Sequence, residues 1–279
     1  MIENHNFFGL KFSSFTEVEL FKEINYRIKN KQVLTIFGYS FSLIALIKKI
    51  PEIYLYGNNF DIMLMDGRWF YLFVKFLTGK VKSDLSLPRF IYKLFKIADI
   101  NNYSIMLLGA DEITNRSATK KLRKKYKNIN VFEGINGYFE QKDEKEIVKR
   151  IQELSPDILL VGIASPIKEV FCSNYKEELN TSIIIPCGGM IDVIAEKSKK
   201  TPLILKKLGL AFIFRTIQEP KRLFRRYAFA TKEIILKVIP ICLYQKYIKK
   251  NENFFLPSIY GISNNELINS ERRYGENNK

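Results

Sequence analysis

An Asp-Gly pair, Asp66-Gly67, directly follows the short apolar run Ile62–Met65. A buried strand that ends in a carboxylate places that group at the edge of a sheet, where it can accept a proton or orient a hydroxyl. An aspartate before glycine can equally form an Asx turn or cap the next helix. The residue type therefore allows either a general base or a purely local structural role for Asp66.

Glycines follow three other apolar runs. Leu108-Gly109 ends one of them, and glycine there either lets a backbone approach a phosphate or simply makes a tight turn. Gly162 precedes Lys168-Glu169, whose charges suit a binding site or the solvated start of a helix. Gly188-Gly189 stands beside Asp192, a spacing that suits a nucleoside or a plain turn. The Gly-x-Gly-x-x-Gly and Walker A patterns are absent, which argues against dehydrogenases and NTPases.

Metal ligands are scarce in the sequence. His5 is the one histidine, and no Asp-x-Asp pair occurs, so the usual ligands for a metal-bound diphosphate are missing. Cys172, Cys187 and Cys242 match no zinc spacing and cannot form a disulfide framework. We therefore expect no metal or other cofactor, and a reducing, cytoplasmic setting.

The elements that must position these residues alternate along the chain. Apolar runs without polar alternation predict buried parallel strands, and stretches with helical periodicity separate them. The alternation predicts an α/β fold, a Rossmann-like, doubly wound, mainly parallel sheet whose ligands bind beyond the carboxyl ends of the strands. The predicted strands are Val33–Phe37, Ile62–Met65, Ser104–Leu108, Asp157–Val161 and Ser182–Ile185, and the predicted helices are Phe70–Leu77, Pro88–Ala98, Thr114–Tyr126 and Glu144–Glu153.

Charge divides the 279 residues into three parts. The chain has 45 Lys+Arg against 29 Asp+Glu, a net +16, but residues 197–250 hold 15 against 2. We predict a catalytic domain at 1–196, a basic amphipathic appendage at 197–250 and a loosely packed polar tail at 251–279. The N-terminus has no signal-peptide pattern, and no apolar run approaches the roughly 18 residues that cross a bilayer.

The appendage interleaves apolar and basic residues, and three interpretations fit this pattern. Leu203, Ile204, Leu208, Phe212, Leu223 and Phe224 are predicted to line one helical face, with Lys206, Lys207, Arg225 and Arg226 beside them. A basic amphipathic helix is typical of proteins that bind an anionic membrane surface. Basic residues among aromatic ones also suit nucleic acid, and a solvated basic face packed on a core is the third interpretation.

The segments at the predicted strand ends, followed by several arginines near the C-terminus, occur in a fixed order along the chain. The set comprises Met65-Asp66-Gly67, Leu107-Leu108-Gly109, Gly134–Phe139, Pro156–Gly162, Ser165-Pro166 with Glu169, Gly188–Asp192, and Arg215, Glu219-Pro220, Arg222 and Arg225-Arg226-Tyr227. From about Phe8 to Tyr227 the chain resembles the WecG/TagA/CpsF glycosyltransferase family, glycosyltransferase family 26. Each motif alone is weak, and the specificity lies in their order.

The resemblance implies an inverting, metal-independent glycosyltransferase. It would move a sugar, N-acetylmannosamine or a related hexose, from a UDP-sugar to an undecaprenyl-diphosphate-linked acceptor. The expected pathway is cell-envelope polysaccharide synthesis, at the inner face of the bacterial cytoplasmic membrane. The membrane surface then becomes the favoured partner of the appendage and nucleic acid is not expected, while a homo-oligomer stays open.

The resemblance also implies site residues. Asp66 is the expected general base, with Arg215 and Lys168 as further catalytic residues. UDP-sugar binding is expected from Gly67, Gly109, Gly137, Tyr138, Gly162, Pro166, Glu169, Gly188, Gly189 and Asp192. Contacts to the diphosphate and the membrane are expected from Lys200, Arg222, Arg225 and Arg226.

The chain departs from the family pattern at several positions. Phe37-Gly38-Tyr39-Ser40 stands where Thr-x-Asn is usual, and Lys168 stands where glutamine is usual. These departures motivate an alternative hypothesis, a catalytically impaired relative that binds envelope lipids or partner enzymes.

Overall fold

The computed structural model describes residues 2–197, 201–202, 204–205, 208–251 and 254–262, with the side chain of Arg222 left out. The strands are β1 (Glu3–Phe7), β2 (Leu10–Ser14), β3 (Leu34–Tyr39), β4 (Ile62–Met65), β5 (Ser104–Gly109), β6 (Asn130–Val131), β7 (Ile158–Gly162) and β8 (Ile183–Pro186). β1 and β2 form an antiparallel hairpin. The other six form a parallel sheet in the order β4-β3-β8-β7-β5-β6. The predicted α/β fold is confirmed.

Helices separate the strands. They are α1 (Glu17–Lys29), α2 (Phe41–Leu46), α3 (Glu52–Gly57), α4 (Arg68–Thr78), α5 (Leu87–Asn101), α6 (Glu112–Lys125), α7 (Glu144–Leu154), α8 (Ile167–Tyr175), α9 (Met190–Ile194), α10 (Ala211–Gln218) and α11 (Pro220–Glu233). After α11 the chain stays helical through the π-helical turns Ile234–Val238, then α12 (Ile239–Leu243), then the π-helical turns Tyr244–Lys249. Short 3-10 turns lie at Gln141–Asp143 and Leu256–Tyr260.

Alternate strand residues point to two cores because successive side chains of a strand face opposite sides of a sheet. Leu108 and Val161 lie in the core beneath α2, α3, α4, α7 and α8. Leu107 and Leu160 lie in the core beneath α1, α5, α6 and α9. Both faces are therefore covered, which explains why the strands are continuous apolar runs.

The C-terminal helix packs on the first of these cores. α11 contacts α2, and one stripe of the helix is buried, consisting of Leu223, Ala230, Ile234, Val238 and Cys242. Nζ of Lys48 lies 3.0 Å from Oε1 of Glu233, which joins the end of α2 to the helix. The basic segment is thus anchored to the sheet domain by an apolar stripe and an ion pair.

Part of the predicted loose tail is packed. Leu256 is buried, and its backbone N–H donates to the carbonyl of Phe8 at 2.8 Å. The rings of Phe254 and Phe255 contact Phe8 and Tyr54. The tail prediction is therefore wrong for residues 254–262, whose aromatic residues cover the N-terminal hairpin. Residues 263–279 lie outside the described part of the chain.

In the described residues, no helix is both long enough and apolar enough to pass through a lipid bilayer.

Candidate functional site

Asp66 lies just beyond the carboxyl end of β4, where its backbone N–H donates to the carbonyl of Tyr39 at 2.7 Å. Its carboxylate does not cap α4, since the N-cap of that helix is Gly67 and no side chain caps it. Instead, Oδ1 of Asp66 accepts a hydrogen bond from the backbone N–H of Leu87 at 3.1 Å. Gly67 has a φ of +98°, which turns the chain sharply away from the strand. The helix-cap alternative for Asp66 is thereby replaced by a contact to the start of α5.

The partly buried position of Asp66 shifts the pKa of its carboxyl group. Loss of solvent raises the pKa of its carboxyl group, while the Leu87 N–H and the positive charge of Arg215 act in the opposite direction. Arg215 belongs to α10, so the C-terminal segment brings a cation to the strand end. A carboxylate with a raised pKa and a nearby arginine is the arrangement expected of a general base beside a charged substrate.

The end of the neighbouring strand β3 leaves little room beside Asp66. A Cβ on Gly38 would lie 3.3 Å from Cβ of Asp66, so this glycine packs directly against the first carbon of the Asp66 side chain. Ser40 caps α2 by accepting a hydrogen bond from the N–H of Leu43. Ser40 therefore supplies a short capping hydroxyl at this edge.

Four glycines bring backbones together at the carboxyl ends of β5, β7 and β8. A Cβ on Gly109 would lie 2.5 Å from the carbonyl of Gly162, and one on Gly137 would lie 2.7 Å from Cα of Gly109. A Cβ on Gly162 would lie 3.0 Å from the carbonyl oxygen of Gly188. Gly109 also has a φ of +140°. Close backbone packing explains these glycines, and it gathers the predicted nucleotide-binding turns into one crevice.

The start of α6 is already occupied by a carboxylate. Asp111 caps the helix by accepting hydrogen bonds from the N–H of Thr114 at 2.8 Å and its hydroxyl at 2.7 Å. Lys197 donates at 2.9 Å to Oδ2 of Asp111, the oxygen that also accepts from the Thr114 hydroxyl. With the Thr114 contacts it holds the pKa of this carboxyl group well below the usual range. Asp111 therefore caps the α6 N-terminus where an anion could bind, and the approach of a phosphate to Gly109 stays a prediction.

Lys197 links the crevice to the start of the appendage. The pKa of its amino group is raised, chiefly by the hydrogen bond to Asp111 and then by the charges of Asp192 and Tyr138. Asp192 lies in the first turn of α9, with Oδ2 at 3.6 Å from the position of a Cβ on Gly189. The ring of Tyr138 is 82% exposed. The structure thus brings Tyr138, Asp192 and the glycine turns together at one rim, which Lys197 borders.

Lys168 and Glu169 form a buried pair instead of an exposed catalytic one. Their side chains are 8% and 0% exposed, and the amino group contacts both Oε1 of Glu169 and Oγ of Ser165. Ser165 donates to the same carboxylate oxygen at 2.9 Å, next to Pro166 at the start of α8. Oε2 of Glu169 has no hydrogen-bond partner in the described residues. The pair lies beneath the turn after β7, so burial limits a direct contact of either side chain with substrate.

The cations of the appendage are divided between the site and the surface. Arg215 acts on Asp66, whereas Arg225 and Arg226 are exposed on α11. Arg222 lies within α11, and its side chain is outside the described part of the chain, as are Lys200, Leu203, Lys206 and Lys207. The predicted pairing of Leu223 with Phe224 on one face is wrong, because Leu223 is buried whereas Phe224 is 63% exposed.

An apolar surface accompanies these exposed cations. The exposed large side chains of the C-terminal segments are Ile204, Leu208, Ile213, Ile217, Phe224, Ile235, Leu236, Tyr244, Tyr247 and Ile248. Exposed apolar residues on this scale mark a binding surface, and the arginines and lysines between them favour an anionic partner.

Two positions that border the site were missed by the sequence analysis. Arg68 follows Asp66-Gly67 at the first position of α4, and its place directly after the motif was the available signal. Lys197 had no comparable signal, because its contact with Asp111 joins residues 86 positions apart.

The sequence of this chain is similar to those of known proteins. The model of a family described as "Glycosyl transferase WecG/TagA/CpsF family" matches residues 5–249. Similar curated proteins include the N-acetylglucosaminyldiphosphoundecaprenol N-acetyl-beta-D-mannosaminyltransferases of Staphylococcus aureus strains MRSA252 and NCTC 8325 / PS 47. Each is 26% identical over 247 residues, which cover 85% of this chain and 89% of the relative.

Proposed function

The chain belongs to the WecG/TagA/CpsF family of glycosyl transferases, and from that premise we propose that it moves an N-acetylmannosamine-type sugar from UDP to a lipid-linked acceptor. The acceptor would be N-acetylglucosaminyl-diphospho-undecaprenol, the lipid named for its relatives. The observation that carries the proposal is the position of Asp66, a partly buried carboxylate with a raised pKa at the carboxyl end of β4 and under the influence of Arg215.

The proposed chemistry is a single displacement with inversion. Asp66 removes the proton from an acceptor hydroxyl as that oxygen forms a bond to the anomeric carbon. The bond from the anomeric carbon to the UDP oxygen breaks, and its electron pair leaves with the diphosphate. Arg215 stabilises the charge that develops there, and Arg222, Arg225 and Arg226 are proposed to assist when the appendage closes on the donor. The missing Asp-x-Asp pair supports a reaction in which arginines replace a metal.

The donor is proposed to lie across the carboxyl ends of β8, β7 and β5. Tyr138 offers an exposed ring for stacking on the base, and Asp192 offers a carboxylate for the hydroxyls of the ribose. Gly67, Gly109, Gly137, Gly162, Gly188 and Gly189 would let the backbone approach the nucleotide, with Pro166 shaping the turn after β7. Lys168 and Glu169 are proposed to hold that turn in place.

The appendage is proposed to bind an anionic membrane at the inner face of the cytoplasmic membrane, where a lipid-linked acceptor is found. Its exposed apolar residues and the exposed Arg225 and Arg226 support this role. Each cation near such a surface contributes about 1 kcal/mol.

The variant Asp66→Asn tests the proposal. We expect turnover to fall by about 10²- to 10⁴-fold, the usual effect of losing a general base. The dissociation constant for UDP should stay within about twofold, since the crevice after β5, β7 and β8 is unaltered. Undiminished turnover would show that Asp66 is not the general base. Loss of both UDP binding and folding would show that the role of Asp66 is structural.

A further inference from the structure

One face of α4 carries large apolar side chains that stay substantially exposed. Trp69, Leu72 and Phe76 are 54%, 39% and 67% exposed, and Arg68 and Lys75 flank them. At about 100° per residue, these five positions share one side of the helix. The opposite side buries Phe70, Val74 and Leu77 in the core. We name the five exposed residues the α4 face.

The α4 face begins at the proposed base. Asp66, Gly67 and Arg68 are consecutive, and Phe76 lies eight residues further along, about 12 Å at a rise of 1.5 Å per residue. A Cβ on Gly209 would lie 2.7 Å from Nε1 of Trp69, and the rings of Phe76 and Tyr247 are 6.3 Å apart. The C-terminal segments therefore border the α4 face at both of its ends.

The order of chemical groups along α4 matches the order in a lipid-linked sugar. A carboxylate at position 66 comes first, a guanidinium at position 68 second, and large apolar side chains follow. A polyprenyl-diphosphate-linked sugar presents a hydroxyl, then a diphosphate beyond the sugar ring, then a hydrocarbon chain. No ion pair in the described part of the chain engages Arg68, so its charge is available for a phosphate.

We propose that the α4 face binds the diphosphate and the first isoprenoid units of the lipid-linked acceptor, with Arg68 on the diphosphate and Trp69, Leu72 and Phe76 along the chain. This subsite rests on the proposed function, since it receives the tail of the molecule whose sugar reaches Asp66. An anionic bilayer requires only cations and apolar residues at the surface, with no fixed position relative to Asp66. The charge directly beside Asp66, followed by the apolar stripe, favours a single lipid whose head lies at the base.

A direct binding measurement tests the subsite independently of catalysis. Trp69 is the single tryptophan of the chain, so fluorescence excited selectively at tryptophan reports on this face alone. A polyprenyl diphosphate without sugar is titrated into the full-length protein in neutral detergent micelles, and we expect a saturable change in emission. The double variant Leu72→Asn/Phe76→Asn, which keeps Trp69, should weaken the apparent affinity about tenfold. Arg68→Gln should also weaken it, but should leave the weaker response to the uncharged polyprenol unchanged.

Matched controls carry the same chemical changes elsewhere. Ile100→Asn replaces an apolar residue that is 76% exposed on α5, and Lys96→Gln removes an exposed cation from the same helix. Both should titrate as the wild type does. An absent response, or one that the α4 variants leave unaltered, would overturn the proposal. A response to anionic vesicles without any to the single lipid would show that the α4 face contacts only the bilayer.

Kinetics separate this subsite from the proposed function. With acceptors that share one head group, the Leu72→Asn/Phe76→Asn variant should raise KM about tenfold for a polyprenyl tail and not for a short alkyl tail, at unchanged kcat. Equal effects on both tails would contradict a tail subsite. If the wild type transfers no sugar to any acceptor, the proposed function fails, and the Trp69 titration still decides whether α4 binds the lipid diphosphate.

Discussion

Asp66 shows how a side chain acquires a chemical role from residues far away in the sequence. Its neighbours come from the end of β3, the start of α5 and α10. Burial raises the pKa of the carboxyl group, and the Leu87 N–H and Arg215 lower it. The sequence predicted the position of Asp66 at a strand end, because an apolar run ended there. It could not predict the Leu87 hydrogen bond, which depends on how α5 returns to the sheet.

The pH dependence of turnover follows from the raised pKa of Asp66. Only the ionised carboxylate accepts a proton, so turnover should fall with decreasing pH at values above the ordinary aspartate pKa of 3.8. Arg215→Gln removes a charge that lowers this pKa and should move the acidic limb of the kcat profile to higher pH. Arg226→Gln is the matched control, whose profile should keep its position. An unmoved limb in Arg215→Gln would contradict the proximity of these two groups.

The Lys168–Glu169 pair is expected to support the turn after β7. Lys168→Met leaves a buried carboxylate without a cation and should reduce the free energy of unfolding by about 3 kcal/mol. In Lys168→Met/Glu169→Met both charges are gone, and much of the loss should be recovered. Urea denaturation measures both variants. If the double variant is less stable than the single one, the charge pair is not the stabilising element.

At the scale of elements, continuous apolar runs were the reliable signal. Each of the five predicted runs forms a strand, and β3 extends to Tyr39 because it pairs with Met65 of β4. The hairpin of β1 and β2 was missed since its residues are mostly polar or aromatic without alternation. α1 was missed although its capping box, Thr16 with Glu19, is visible in the sequence. β6 has only two residues, too few for any pattern.

The glycine crevice allows a prediction about packing. Gly109→Ala would place a methyl group 2.5 Å from the Gly162 carbonyl and should lower the free energy of unfolding by about 3 kcal/mol. Gly189→Ala is the control for stability, since its nearest atom, Oδ2 of Asp192, is 3.6 Å away. Thermal or urea unfolding compares the two. Similar stability of both variants would show that the β5 and β7 ends are not tightly packed.

At the scale of the whole molecule, the C-terminal segment has two sides. A buried stripe fixes it to α2, and the other side exposes cations and large apolar residues. The charge distribution along the sequence predicted where this segment lies. It could not predict that α10 supplies Arg215 to Asp66, because that depends on how the helix packs.

Removal of surface cations should weaken membrane binding. Arg225→Ser/Arg226→Ser should reduce partitioning into anionic vesicles about 30-fold, from about 1 kcal/mol for each charge. Lys120→Ser/Lys124→Ser makes the same change in net charge on α6, which packs on the other face of the sheet. Sedimentation with vesicles measures both. An equal loss in the two variants would indicate attraction by net charge without an oriented surface.

The central claim is sugar transfer, and product formation tests it most directly. Wild-type protein is incubated with UDP-N-acetylmannosamine and a short-chain lipid-diphosphate N-acetylglucosamine acceptor, and release of UDP and the disaccharide product are quantified. We predict one disaccharide per UDP, with the anomeric configuration inverted relative to the donor. Absence of product from any UDP-sugar, in a protein that still binds UDP and anionic vesicles, would contradict the account and favour a non-catalytic relative.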